Sequence, residues 1–232
     1  MFRFKGFSIS DENSIMKIGT DSVLLAAWVE ESAERILDIG TGSGLISLIL
    51  AHKTNALIDA VEIDTMSAKQ ASENIRLCGM SDRIAVHNKS FSSFINSESG
   101  QYDLIVTNPP YFTSSLKSGD KQKNLWRHTD TLTQEALLYG VSRLLTAEGS
   151  FYVILPFSEY GSFADKALKE SLYINKKLNI IPKQNKPANR ILLRFSKHKT
   201  LLKQESSLTI RNSDNSFTQD YKSVTKDYYL DF

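Results

Sequence analysis

The sequence predicts an α/β protein built on a seven-stranded, mainly parallel, doubly wound sheet. Three observations carry that class. Aliphatic segments of strand length alternate with helical patterns along the chain, the pattern of a parallel sheet covered by helices. The segment Ile36-Leu-Asp-Ile39 runs straight into Gly40-Thr-Gly-Ser-Gly44 and then into an apolar helical stretch. A further apolar run, Asp103-Leu-Ile-Val-Thr107, stops at Asn108-Pro109-Pro110-Tyr111. Proline has no N–H to give a ladder and pushes the residue before it extended, so this strand ends with Asn108 at its carboxyl edge.

Taken in order, Phe2 to Ser10 alternates apolar and polar like a short edge strand, and Thr20-Asp21-Ser22 supplies capping side chains for a helix from Val23 to Glu31. Arg35 to Ile39 is the first central strand and Leu45 to Lys53 the helix after the glycine turn. Leu57 to Ile63 follows as the second strand, Met66 to Cys78 as a helix stopped by Gly79, and Ile84 to Asn88 as the third strand. The fourth strand centres on Leu104 to Val106. Phe112 to Asp130 is long and polar, the kind of segment that serves function more often than connection. Leu132 to Leu145 reads as a helix, Gly149 to Leu155 as the fifth strand and Ser158 to Ser171 as a helix. Ile174 to Ile181 and Arg190 to Phe195 are the last two strands. Only the basic connection Pro182 to Pro187 joins them, so an antiparallel hairpin is expected to close one sheet edge. The tail from Leu208 to Phe232, with Tyr221, Tyr228 and Tyr229, is expected to dock by aromatic packing. The expected organisation is one domain over residues 1–232, with an amino-terminal extension (1–34) and a docked tail (208–232).

Composition narrows the class. With 41% hydrophobic and 23% charged residues in 232, the chain is ordinary for a globular protein. The amino terminus has no signal-type apolar region, and Val23 to Val29 and Leu45 to Ala51 are far too short to span a bilayer. A cytoplasmic protein with no membrane partner is expected. The single Cys78 cannot form an internal disulfide, and without a Cys or His cluster no metal is expected. Net charge is only +2, yet Tyr173 to Gln204 carries no acid while Lys176, Lys177, Lys183, Lys186, Arg190 and Arg194 all fall there. Such a bias suggests an anionic partner; a solvated surface balanced by acids elsewhere in space is the other reading.

The glycine turn and the prolines carry the chemistry. Glycines let the backbone bend sharply and approach a ligand closely. A dinucleotide fingerprint is Gly-x-Gly-x-x-Gly, whereas here the spacing is Gly-x-Gly-x-Gly with Asp38 two places before it. An acid there is unfavourable to a pyrophosphate and favourable to an α-amino group. Glu62 ends the second strand, where such folds hold ribose hydroxyls; Asp64 competes for that role, and a surface acid is the plainer reading. The Asn108 amide oxygen and the Pro109 carbonyl offer two acceptors to one planar amino group, with the Tyr111 ring as a stacking surface. A conjugated amino nitrogen is a poor nucleophile because its lone pair is delocalised, and two acceptors on its hydrogens localise that pair. The same letters are also a strand ended by a proline turn.

Together, Met16-Lys-Ile-Gly-Thr-Asp-Ser-Val-Leu-Leu25, Asp38-Ile-Gly-Thr-Gly-Ser-Gly44, Val61-Glu-Ile-Asp64, Asn108-Pro-Pro-Tyr111 and Arg127-His-Thr129 resemble the class I (Rossmann-like) S-adenosylmethionine-dependent methyltransferases. Within that class the chain is similar to the bacterial tRNA(Val) adenine-N6 methyltransferases, which modify the adenosine 3′ of the anticodon. The likeness covers nearly the whole chain, down to Leu208-Thr-Ile-Arg211. It implies S-adenosylmethionine as cofactor, held by Lys17, Thr20, Asp38, Gly40, Gly42, Gly44, Glu62, Ile63, Ser90, Phe91 and Asn108. It implies catalysis by Asn108, Pro109, Pro110 and Tyr111, and tRNA as partner. One departure stands out: where the family has an acid for the cofactor's adenine, this chain has Asn88-Lys-Ser-Phe91, with Ser90 in that place. Position and charge add RNA contacts at Tyr111, Lys117, Lys121, Lys123, Arg127 and His128, and at Lys183, Lys186 and Arg190. Two rivals share the core motifs. A protein glutamine N5-methyltransferase would carry a helical domain before the glycine turn, for which Met1 to Glu34 is too short. A cofactor- or RNA-binding protein that has lost catalysis is disfavoured by the intact Asn-Pro-Pro-Tyr.

Overall fold

The computed structural model describes residues 1–97, 100–110, 132–199 and 204–231. Their strands form a two-stranded hairpin and a mixed sheet of eight strands. The hairpin pairs β1 (Phe2–Arg3) with β2 (Ser8–Ile9), antiparallel. Phe2 to Ser10 is therefore no edge strand of the main sheet. The chain turns back at Phe4–Phe7, whose rings stack at 5.1 Å, and Phe4 bridges to Tyr229 of the tail.

α1 (Thr20–Trp28) leads into β3 (Arg35–Ile39), α2 (Leu45–Lys53), β4 (Leu57–Glu62), α3 (Thr65–Leu77) and β5 (Ile84–Asn88). α3 is capped by Asp64, whose carboxylate accepts from Ser67 N at 2.7 Å. α1 begins at Thr20 behind Gly19, three residues before the expected Val23, so the trio read as its cap lies in its first turn. A short helix absent from the sequence reading, α4 (Phe91–Ser97), precedes β6 (Tyr102–Thr107). α5 (Gln134–Leu144), β7 (Leu145–Pro156), a 3-10 turn (Phe157–Glu159), α6 (Tyr160–Lys169), β8 (Tyr173–Lys183), β9 (Arg190–Ser196), β10 (Gln204–Arg211) and α7 (Gln219–Thr225) complete the order.

The strand order is β10-β8-β9-β7-β6-β3-β4-β5. β9 runs antiparallel to both neighbours, and the other pairings in this sheet are parallel. The expected count of seven strands is corrected by β10, which pairs outside β8. The β8–β9 hairpin forms as expected but does not close the edge. The start of β10 is exposed and polar, which is why its pattern reads as tail, while Leu208 further along is buried. Both faces of the sheet are covered. Ile36, Leu104 and Ile154 point into a core with α1, α2, α3 and α7; their neighbours Leu37, Ile105 and Val153 point into a second core with α4, α5 and α6.

β3 pairs β4 on one side and β6 on the other. The chain thus winds outward through β4 and β5 and returns to β6, making a topological switch point between β3 and β6. Crevices for ligands open at the carboxyl ends of strands at such a point. Because β8 is antiparallel to β9 and β9 to β7, the tip of the β8–β9 hairpin emerges at that same carboxyl edge.

Candidate active site

At the carboxyl end of β3 the backbone turns through Gly40, Gly42 and Gly44, all at positive φ. Gly40 has φ +73°, and a Cβ there would meet no atom within 4 Å: the loop backbone faces open space. Gly44, at φ +87°, lies against α3, where a Cβ would only make ordinary contact with the Ala71 methyl at 3.4 Å, so the left-handed backbone is what calls for glycine there. The cleft above the turn is lined by Met16, Lys17, Ser22, Gly40, Gly42 and Asn108, among others.

Asp38 lies fully buried beneath it. Its Oδ2 accepts from the Thr41 and Ser47 hydroxyls, both at 2.7 Å, while Oδ1 has no hydrogen-bond partner. Burial pushes this carboxyl above the usual carboxylate range, against the pull of the two hydroxyls. Glu62, at the end of β4, is also buried and pushed up by burial, although its Oε2 accepts from Gly42 N at 2.8 Å and its Oε1 from Asp64 N at 2.9 Å. It braces the glycine turn across 20 residues of sequence separation. Asp64, its competitor in the sequence, is the α3 cap instead. Ile63 is exposed beside it, 49% accessible, an apolar surface at the strand end.

At the carboxyl end of β6, Thr107 Oγ1 donates to the Ile39 carbonyl at 2.7 Å, fastening the ends of β6 and β3 together. Asn108 follows, with Pro109 buried and Pro110 exposed. The Asn108 Nδ2 donates to Ser22 Oγ at 2.9 Å, which leaves Oδ1 as the other end of the amide. Asn108, Glu62, and Asp38 with its glycines are thus brought to one crevice from three separate stretches of chain.

The remaining expected residues divide. Lys17 lines the cleft, but its ammonium donates to the Asp11 and Glu12 carbonyls at 2.6 and 3.2 Å. Thr20 is half-buried at the start of α1. Ser90 precedes α4 and its hydroxyl accepts from Ser93 N at 3.1 Å, the geometry of a helix cap; Phe91 is buried in the core beneath. Tyr111, Lys117, Lys121, Lys123, Arg127 and His128 lie outside the described residues. At the hairpin tip, Lys186 is exposed, Lys183 donates to Asn215 Oδ1 at 2.7 Å, and Arg190 is paired with Asp21 of α1 at 2.9 Å.

The acid-free segment is also less bare in space than in sequence. Lys176 pairs Glu30, Lys177 pairs Glu205 and Arg194 pairs Glu31, so much of its charge is answered by other elements. Ser22 is the functional neighbour that sequence reasoning missed. Its signal was the polar trio Thr20-Asp21-Ser22 behind Gly19, read as a cap.

A glycine turn after the first strand of the switch point, an acid ending the next strand and an Asn-Pro-Pro at the return strand, on this sheet, define a class I S-adenosylmethionine-dependent methyltransferase fold. Solved structures agree at that level. A predicted O-methyltransferase from Agrobacterium tumefaciens matches with a TM-score of 0.71 at 18% identity, covering 90% of this chain and 96% of its own. A putative RNA methyltransferase from Pyrococcus horikoshii matches at 0.55 and 16%, covering 76% and 81%. The family model described as Methyltransferase small domain matches residues 13–180. Proteins named tRNA1(Val) (adenine(37)-N6)-methyltransferase match along their whole lengths: 43% identity in Bacteroides fragilis over 99% of this chain and 97% of that one, and 43% in Trichodesmium erythraeum over 100% and 98%. The chain belongs to this methyltransferase family.

Proposed function

We propose that the chain methylates N6 of adenosine 37 in tRNA1(Val), with S-adenosylmethionine as donor. The observation that carries the reading is the Asn108 amide, held by Ser22 at the switch point beside the glycine cleft, in a chain whose full-length relatives bear that name. The site fits the cofactor on its own terms: the unpartnered, buried Asp38 Oδ1 suits a cationic amino group, and the glycine turn offers backbone without side chains. S-adenosylmethionine supplies an electrophilic methyl on a positively charged sulfur. Asp38, Gly40, Gly42 and Gly44 would hold its amino-acid end and Glu62 its ribose; Ile63, Ser90 and Phe91 would border its adenine, with Lys17 and Thr20 on the α1 side.

Asn108 Oδ1 and the Pro109 carbonyl accept from the substrate's amino group and localise its lone pair, and Tyr111 stacks on the base. Drawing adenine out of a loop costs a few kcal/mol, which aromatic stacking offsets. Positioning supplies most of the acceleration, so no base of unusual pKa is required. Among the described residues no group of three or more His, Cys, Asp or Glu could hold a metal ion, and no helix is long and apolar enough to cross a membrane. We place the protein in the cytoplasm with its tRNA, as one methyltransferase domain with a terminal extension and a docked tail.

The test is incubation with labelled cofactor and total RNA from a strain lacking this protein, followed by mapping of the modified nucleoside. Label in N6-methyladenosine at position 37 of tRNA1(Val) is expected. Methylation of nuclease-treated extract at the untreated level would point to a protein glutamine acceptor and end the reading. Asn108→Ala should keep cofactor affinity while turnover falls about 10²- to 10³-fold, as for other lost transition-state contacts.

A further inference from the structure

We propose that the first turn of α1 is the device that orients the acceptor amide, with Ser22 as a positioning residue for Asn108. The proposal rests on the reading that Asn108 accepts from the substrate's amino group. Two consecutive residues of that turn tie two different parts of the molecule. Asp21 accepts from the Arg190 guanidinium of β9 at 2.9 Å. Ser22 accepts from the Asn108 amide at 2.9 Å. Both are partly buried. The N-cap is Gly19, which has no side chain to give, and the turn's polar groups reach instead to the basic hairpin and the acceptor loop.

The amide needs such a device. Its oxygen end accepts and its nitrogen end donates, and a half-turn about the last side-chain bond exchanges them with almost no change in shape. An extended backbone before Pro109 fixes where the amide is but not which end faces the substrate. The Ser22 contact fixes the plane of the amide, and in the structure it is Nδ2 that meets Ser22, which leaves the acceptor end for a substrate amino group. The reversed amide would set N–H against N–H and forfeit the contact that localises the lone pair. Arg190 acts through the same turn: its ion pair with Asp21 holds α1 against the hairpin, a role distinct from a contact to phosphate.

Ser22→Ala is a mild change for the fold, because alanine favours a helix interior. It should lower kcat about three- to tenfold, the worth of one neutral hydrogen bond, with KM for tRNA and for cofactor nearly unchanged. Ser22→Thr keeps the hydroxyl and should recover most of that loss. The contrast between Ser22→Ala and Ser22→Thr decides. Arg190→Gln should lower kcat and leave KM for tRNA in place. The inference is overturned by wild-type kcat in Ser22→Ala or by failure of Ser22→Thr to recover. A wild-type protein inactive on tRNA would instead remove the functional reading.

Discussion

Asp38 carries the strongest residue-level tension in the molecule: a carboxylate with no access to water, two hydroxyl partners on one oxygen and none on the other. Its carboxyl titrates above the unfolded value because burial penalises the charge. The sign follows from linkage. A raised folded-state pKa contributes stability that is complete below the unfolded value and is lost as pH rises through the folded one. A cation bound beside Asp38 reverses this by favouring the charged form. Cofactor binding should therefore release protons when measured at acid pH, and affinity should rise with pH from about the ordinary carboxylate value upward, then level off. Calorimetry in buffers of different ionisation enthalpy reads both effects. Glu62, raised for the same first reason, adds to the slope, so Asp38→Asn should flatten the profile without abolishing it. A pH-independent affinity in the wild type would separate Asp38 from the cofactor. Asp38, the glycines, Glu62 and Asn108 were legible as a site because each is a residue type tied to a strand end. Ser22 was not, because its role depends on a partner 86 residues away, and Ser90 was read as a ligand where its visible bond is to the start of α4.

Among the elements, α4 depends on the smallest side chain facing it. A Cβ on Gly140 of α5 would stand 2.3 Å from Ile95 Cδ1 and 2.5 Å from Phe91 Cε1, well inside contact distance. Gly140→Ala should thus push α4 away from α5 and cost about 1–3 kcal/mol, seen as a lowered midpoint in thermal unfolding. Since Phe91 and Ser90 lead into α4, cofactor affinity should fall as well; unaltered stability would show that the helices can part freely. Gly140 sits inside a predicted helix where its sequence gave no hint of this contact. The central strands were readable because each is buried on both faces and so uniformly aliphatic. β10 was not, since Leu208 carries most of its burial and the polar Gln204–Ser207 stretch belongs to an outer edge. α4 escaped because seven residues starting Phe-Ser-Ser offer little helical periodicity.

For the molecule as a whole, the decisive fact is which charges share the active edge. Counting acids along the sequence made the whole stretch from Tyr173 to Gln204 look like one basic surface. In space, Lys176, Lys177 and Arg194 lie along the strands and meet Glu30, Glu205 and Glu31, and surface pairs of this kind leave little net field. The tip differs. Lys186 N bonds the Lys183 carbonyl at 3.0 Å in a tight turn, with Asn185 at φ +64°, so the two lysines are presented by a defined loop at the carboxyl edge. Arg211 joins them there, paired in register with Lys183 and lying 4.1 Å over the Phe217 ring, with Asp214 as the acid nearby that offsets part of their charge. If RNA is the substrate, its phosphates should be met by this tip and not by the strands. Reversing Lys183 and Lys186 to glutamate should weaken tRNA binding whatever the sequence, leave cofactor affinity alone and reduce the salt slope of the logarithmic binding plot by roughly 0.7 to 0.9 per lost contact. Lys177→Ala, which removes a charge already answered by Glu205, should change the slope little. Filter binding across a salt series distinguishes the cases. Equal slopes for the tip variant and the wild type would place the RNA elsewhere, and an equal loss from Lys177→Ala would restore the whole basic segment as the contact surface.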